Sequence, residues 1–139
     1  MKRDAKTVGI TVLDASALVA LLLLENGAAE VRRTLESRYV YAPELIDAEV
    51  LSTLARHERH GELSRPRARS LVGMLSLVPV RRIPHRVLIT GAWKRRGNLS
   101  LYDALYVALA ARIGGRILTK DRRMAASPNL DVPVTLLPA

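Results

Sequence analysis

Four carboxylates stand where this sequence could set an acid to work: Asp14, Glu49, Asp103 and Asp121. Asp14 directly follows the β-branched run Ile10-Thr-Val-Leu13, and Asp121 comes two residues after the strand-like Arg116-Ile-Leu-Thr119. Open α/β sheets bind ligands beyond the carboxyl ends of their strands, so both acids fall at one end of a parallel sheet despite their separation in sequence. Asp103 sits in Ser100-Leu-Tyr-Asp103 at the start of a helical stretch. Ser-x-x-Asp before an apolar run is also a capping-box pattern. The two roles are compatible, because the first turn of such a helix lies near the ligand end of the sheet. Glu49 has Leu45 and Ile46 one turn behind it and Ser52 and Thr53 one turn ahead. A carboxylate leaning on such neighbours needs a partner to offset its desolvation. Asp47 projects to nearly the opposite side of the helix and is not expected in the same pocket. Each acid has a plain structural alternative as well: N-capping for Asp14 and Asp121, an ion pair for Glu49.

What else the chain offers decides the chemistry. It contains no cysteine and only three histidines, His57, His60 and His85, without ligand spacing and read here as solvated. Thiolate metal sites and disulfides are excluded. Clustered carboxylates suit hard Mg²⁺ or Mn²⁺, which keep several waters and share their shell with phosphate. Such a site can activate a water and clamp a scissile phosphate. The formal net charge of +9, from 22 Lys and Arg against 13 Asp and Glu, favours a polyanionic partner. Solubility or an arginine-favouring genome would also account for the charge. A basic surface around an acidic pocket is the combination a nuclease needs. Nucleic-acid contacts are expected from Arg95, Arg96, Arg122 and Arg123. Tyr102, beside Asp103, could touch substrate, whereas Trp93 and the other tyrosines read as core or rim.

These acids must be positioned by alternating strands and helices. Strands are expected at 10–13, 39–41, 78–83, 116–119 and 134–137. The strand over 78–83 should lie near an edge, since Pro79 cannot donate to a ladder. Helices are expected from Ala17 to Leu24, capped by Asp14 or Ser16, and from Ala28 to Ser37. Others should run from about Glu44 to His60, closed by Gly61, and onward from Ser64, with Pro66 in the first turn. The remaining helices are predicted over 85–96, from Ser100 to the Gly114-Gly115 terminus, and as a short turn over 121–126. This order predicts an α/β fold with a mostly parallel central sheet and helices on both faces.

A length of 139 residues and a hydrophobic fraction of 49% suit one globular domain over 1–139. With no Phe, the core must come from Leu, Val, Ile and Ala. The segment Met1–Thr7 lacks a signal peptide's apolar region. The longest apolar run, Ala17 to Leu24, is too short to span a bilayer. A soluble cytoplasmic protein is therefore expected.

Val12-Leu-Asp14-Ala-Ser16-Ala-Leu18 resembles the opening of PIN domains, and Pro43-Glu-Leu-Ile-Asp-Ala-Glu49-Val-Leu resembles their second motif. Leu99-Ser-Leu-Tyr-Asp103-Ala-Leu-Tyr-Val-Ala108 is similar to the third and Leu118-Thr-Lys-Asp121-Arg to the fourth. Order, spacing and length resemble the VapC toxins of bacterial toxin–antitoxin pairs over nearly the whole chain. The resemblance implies an Mg²⁺- or Mn²⁺-dependent endoribonuclease, usually a homodimer, held inactive by a cognate antitoxin. It implies Asp14 and Asp103 as main metal ligands, Asp121 completing the cluster, and Glu49 orienting metal-bound water or acting as a base. Ser16 and Thr119 match small hydroxyl positions that support the site. Ser52 departs from the pattern, since many relatives carry Asn there, and its shorter reach would hold Glu49 less firmly.

Three other readings compete. A PIN nuclease of RNA processing would share the site without being a toxin. A silent RNA-binding module would use the same basic charge, with the acids as caps and ion pairs. A phosphoacceptor receiver domain, which Lys120 could suggest, is disfavoured by the absence of an Asp after the strand at 78–83 and of an acid pair after the first strand.

Overall fold

The computed structural model describes residues 9–37 and 39–139. Met1–Thr7, read above for a signal peptide, lies outside the described residues. Five strands, β1 (Thr11–Leu13), β2 (Val40–Pro43), β3 (Arg81–Ile83), β4 (Arg116–Thr119) and β5 (Val134–Leu136), form one sheet in the order β3-β2-β1-β4-β5. Every pairing is parallel. The helices are α1 (Ala15–Leu22), α2 (Ala28–Leu35), α3 (Leu45–Arg59), α4 (Arg65–Leu75), α5 (Ile89–Lys94), α6 (Leu101–Ile113) and α7 (Arg122–Ala125).

The topology places the ligand end. From β1 the chain steps outward to β2 and β3, then returns across β1 to β4 and β5. Right-handed crossovers put α1 to α4 on one face and α5 to α7 on the other. The direction reverses between β1 and β4, and the crevice beyond the carboxyl ends of those two strands is where such sheets bind ligands.

Burial follows the composition. Val12, Leu13, Val40, Ala42, Ile117 and Leu118 are almost wholly buried in the strands, facing Leu18, Ile46, Val50, Tyr106 and Leu109 from the helices. The helix α6 is buried on most of its surface, which explains why its apolar residues run nearly continuously. It ends at Gly114, in the left-handed region at φ 69°, so Gly114-Gly115 is the helix terminus expected.

Gly115 permits the entry into β4. A Cβ there would stand 3.0 Å from both the carbonyl oxygen and the Cγ2 of Ile10. Gly115→Ala should therefore destabilise the fold by about 1–3 kcal/mol, the cost of overpacking. Gly73→Ala in α4, where an added Cβ meets nothing, should stabilise by roughly 0.5–1 kcal/mol. Chemical denaturation of the two variants checks the contrast.

Two expected elements depart most from the structure, the others differing only at their ends. The strand expected over 78–83 begins only at Arg81, at the sheet edge. The Arg82 guanidinium takes the carbonyls of Leu75, Val78 and Val80 at 2.8–3.0 Å, so this segment wraps a cation instead of pairing. Arg82 also holds Asp47 through two nitrogens, which places Asp47 away from Glu49 as expected. The helix expected over 85–96 is broken into a 3₁₀ turn at His85–Val87 and α5. His85 is the reason: its Nε2 accepts the Leu45 N–H at 2.9 Å, and its own N–H donates to Glu44 Oε1. It is a capping group for α3, not the solvated histidine expected.

Candidate active site

β1 delivers Asp14 straight from its last residue into the crevice. Asp14 occupies the N-cap position of α1, yet its side chain makes no capping bond. Its Oδ2 instead accepts the Ser16 hydroxyl at 2.6 Å and the Thr119 hydroxyl at 2.8 Å. Ser16 Oγ in turn accepts the Lys120 N–H at 2.9 Å, and Thr119 Oγ1 accepts the Asp121 N–H at 3.0 Å. Each hydroxyl has one proton and gives it to Asp14. These bonds lock the ends of β1 and β4 together and leave Oδ1 of Asp14 outside the hydroxyl pair. Asp14 is only 6% exposed. Burial pushes its carboxyl above the ordinary aspartate value, and the hydroxyl bonds pull it back only in part.

Glu49 enters from the second turn of α3. Its Oε1 accepts the Tyr106 hydroxyl at 2.6 Å. Tyr106, on α6, is fully buried, and that burial, followed by the charges of Asp14 and Glu49, pushes its phenol far up. It stays protonated and donates. Partial burial raises the Glu49 carboxyl, the Tyr106 bond opposes that rise, and Asp14 and Asp103 add to it. Ser52 is exposed and takes no part in holding Glu49.

Asp103 stands in the first turn of α6, where the Ser100 hydroxyl oxygen accepts its N–H at 3.1 Å. Burial raises its carboxyl, the negative charges of Asp14 and Asp121 raise it further, and Ser100 and Arg123 oppose them. Asp121 caps α7 by accepting the Arg123 N–H at 2.9 Å. Its capping alternative is therefore real and coexists with a place in the crevice. Asp14, Glu49, Asp103 and Asp121 line one open cavity of about 360 Å³, together with Ala15, Ser16, Val19, Thr53, Arg56 and His57.

The donor set bears on which ion fits. Among the described residues, no group of three or more His, Asp or Glu side chains is placed to hold a metal ion. A hard cation that takes one or two carboxylates and keeps several waters fits this pocket. Burial raises Asp14, Glu49 and Asp103 above ordinary carboxyls, neighbouring carboxylates add to the rise at Glu49 and Asp103, and a divalent cation would relieve that repulsion.

The four arginines expected at the nucleic acid behave differently. The Arg95 guanidinium forks onto both oxygens of Asp131 and bonds the Gly91 carbonyl at 2.8 Å. It holds the Asp131 carboxyl below its usual value and ties residues 128–131 to α5. That engagement commits the Arg95 fork within the fold, where a nucleic-acid contact was expected. Arg96 lies over the exposed Trp93 ring at 4.2 Å. Arg122 and Arg123 are exposed on α7 beside the pocket acids Asp121 and Asp103. Tyr102 is 62% exposed next to Asp103.

Sequence reasoning missed three groups. Tyr106 follows Asp103 by three residues, so its hydroxyl on an apolar helix face next to an acid was a readable signal. Arg56 and His57 follow Glu49 by seven and eight positions, the spacing of one helix face, and were passed over as part of a basic helix end.

Comparison with known proteins bears on this geometry. The PIN domain family profile matches residues 11–129. The chain is 44% identical over 115 residues to Ribonuclease VapC3 of Mycobacterium tuberculosis, covering 82% of this chain and 84% of that protein. It is 39% identical to Ribonuclease VapC1 of the same organism, covering 91% and 96%. Among solved structures, PAE2754 from Pyrobaculum aerophilum superimposes with a TM-score of 0.64 at 25% identity, over 91% of this chain and 83% of that one. VapBC2 from Rickettsia felis, solved bound to a DNA fragment from its promoter, gives 0.62 at 12% identity over 93% and 99%, a likeness of fold alone.

Proposed function

This chain belongs to the PIN-domain family, and from that premise we propose that it is the toxin of a type II toxin–antitoxin pair. As such it is an Mg²⁺- or Mn²⁺-dependent endoribonuclease that hydrolyses RNA phosphodiester bonds. The observation that carries the reading is the convergence of Asp14, Glu49, Asp103 and Asp121, from four separate segments, on one cavity. The names of the VapC ribonucleases that resemble the chain over most of its length support it. We take the domain to fill residues 1–139, since β5 completes the sheet beyond the profile's last matched residue.

In this reading Asp14 and Asp103 hold the ion and Asp121 completes the acidic wall. When bound, the ion supplies Lewis-acid stabilisation of the phosphate and lowers the pKa of water. Ser16 and Thr119 fix Asp14 through Oδ2 and leave Oδ1 outside the hydroxyl pair. Glu49, fixed at Oε1 by Tyr106, orients the attacking water and takes its proton at Oε2. A carboxyl raised above the ordinary range suits a base working near neutral pH. Arg96, Arg122 and Arg123 contact the RNA backbone. An antitoxin that places an Arg or Lys among the carboxylates would silence the site, and the toxin itself is a homodimer.

No helix among the described residues is long and apolar enough to cross a membrane. The deciding experiment is cleavage of RNA by the purified chain with Mn²⁺ or Mg²⁺ and with EDTA. Chelation is expected to lower the rate by about a hundredfold or more, the scale of removing one main charge-stabilising group. Undiminished cleavage in EDTA would overturn the metal-dependent reading.

A further inference from the structure

One wall of the cavity comes from a single stripe of α3. Glu49, Thr53, Arg56 and His57 all line the cavity, and they recur at helical spacing along one face. Glu49 lies at the acid end, and Arg56 lies about 10 Å further along the axis at roughly 1.5 Å per residue.

The charge arrangement on this stripe is unusual. Arg56 shares a cavity with four carboxylates and pairs with none of them. The other carboxylate pairs among the described residues are His57 and His60 with Glu62, Arg82 with Asp47, His85 with Glu44, Arg95 with Asp131, and Lys120 with Glu25. Arg56 is exposed, and among the described residues its guanidinium makes no hydrogen bond. Thr53, one turn nearer the acids, is half-buried with its hydroxyl likewise without a partner. Thr34 in α2, by contrast, gives its proton to the Glu30 carbonyl one turn back. Two donors on one stripe, facing a cavity and unengaged, are groups held for an outside acceptor. What sets Arg56 apart from the other surface arginines unpartnered among the described residues, Arg33 being one, is its place on the wall of the acid cavity, where an entering anion would meet it.

We propose that Thr53 and Arg56 form a phosphate-binding subsite at the outer rim of the acid cavity. It takes a backbone phosphodiester of the RNA strand adjacent to the one being cut. This rests on the ribonuclease reading, because it assigns the ligand as the neighbouring phosphate of the same strand. Side chains on a helix lean toward its N-terminus, which aims Arg56 back over the cavity. The guanidinium fork matches two phosphate oxygens. The subsite fixes the register of the strand while the acids act on the next linkage.

The test compares the wild-type chain, Arg56→Gln, Arg56→Lys and a charge control, Arg33→Gln on the exposed face of α2. Each is assayed for cleavage with Mn²⁺ and for binding of a short fluorescein-labelled single-stranded RNA across a salt series. Arg56→Gln should raise KM roughly tenfold, the scale of one charge-assisted hydrogen bond, and leave kcat within about twofold. It should also flatten the plot of log Kd against log salt by about 0.7, one phosphate contact on a single strand. Arg56→Lys should restore the salt slope but only part of the KM, because it keeps charge without the fork. Arg33→Gln should change neither. An Arg56→Gln chain no different from Arg33→Gln in KM and slope overturns the subsite, as does a fall in kcat at unchanged KM. If wild type binds the RNA but never cleaves it, the ribonuclease reading fails separately, and the salt slopes still decide whether Arg56 holds a phosphate.

Discussion

Asp14→Asn should lower cleavage by about a hundredfold or more while leaving the metal-free fold as stable as wild type or more so. The asparagine carbonyl can accept the same two hydroxyls that Asp14 Oδ2 accepts from Ser16 and Thr119. The local geometry therefore survives, and only the charge is lost. Because burial raises the Asp14 carboxyl, removing the charge removes a desolvation penalty from the folded state. The same reasoning fixes a pH dependence. Asp14, Glu49 and Asp103 all bind protons more tightly folded than unfolded. Their contribution to stability is full below the ordinary carboxyl range of about 4 and is lost as pH rises through their raised folded values. The metal-free wild type should thus melt at progressively lower temperature as pH rises from that range toward neutrality. Asp14→Asn should show a shallower decline. Mn²⁺ should raise the wild-type melting temperature and the mutant's much less. Thermal melts in EDTA and in Mn²⁺ check all of this, and a mutant clearly less stable than wild type in EDTA would make Asp14 a structural group.

Tyr106→Phe should lower kcat by roughly tenfold or more and leave KM little changed. The ring is fully buried, so Phe keeps the packing, and only the 2.6 Å bond to Glu49 Oε1 disappears. A hydrogen bond to a charged group is worth about 1.5–3 kcal/mol, and here it fixes which oxygen of Glu49 faces the cavity. Glu49 is half-exposed and can recruit water in its place, so the stability loss should stay near about 1 kcal/mol. A double-mutant cycle with Glu49→Gln separates positioning from packing. If Tyr106 acts through Glu49, the two losses of rate will not add, and the second mutation will cost little once the first is present. Additive losses would reduce Tyr106 to a core residue.

Much of this was legible in the sequence because it depends on local signals. Asp14 and Asp121 were readable as strand-end acids, since strand and turn propensities flank both. The Ser100 cap, the Gly114 terminus and the separation of Asp47 from Glu49 follow from helix periodicity. The rest depends on contacts between distant segments. Nothing near Val78 shows that Arg82 will take three carbonyls and keep the segment out of the sheet. His85 caps a helix that starts forty residues earlier in the chain. Arg95 looked like Arg96 until Asp131 came within its reach. Tyr106 and Arg56 were readable in principle, each at helical spacing from an acid, but a buried tyrosine and a basic helix end are ordinary enough to pass unremarked.

The strand order also sets a timetable. The two sides of the crevice are β1 and β4, so the hydroxyl of Thr119 cannot reach Asp14 until about a hundred further residues have been made. Synthesis at about 5–20 residues per second puts those two moments roughly 5–20 s apart. For about half of that interval, between the making of Glu49 and of Asp103, a nascent chain carries Asp14 and Glu49 without Asp103, the β4 edge or Asp121 beside them. No growing fragment that stops short of Asp121 can contain the four-acid cavity. The four-acid cavity therefore assembles late, only after β4 and the turn that carries Asp121 have joined β1.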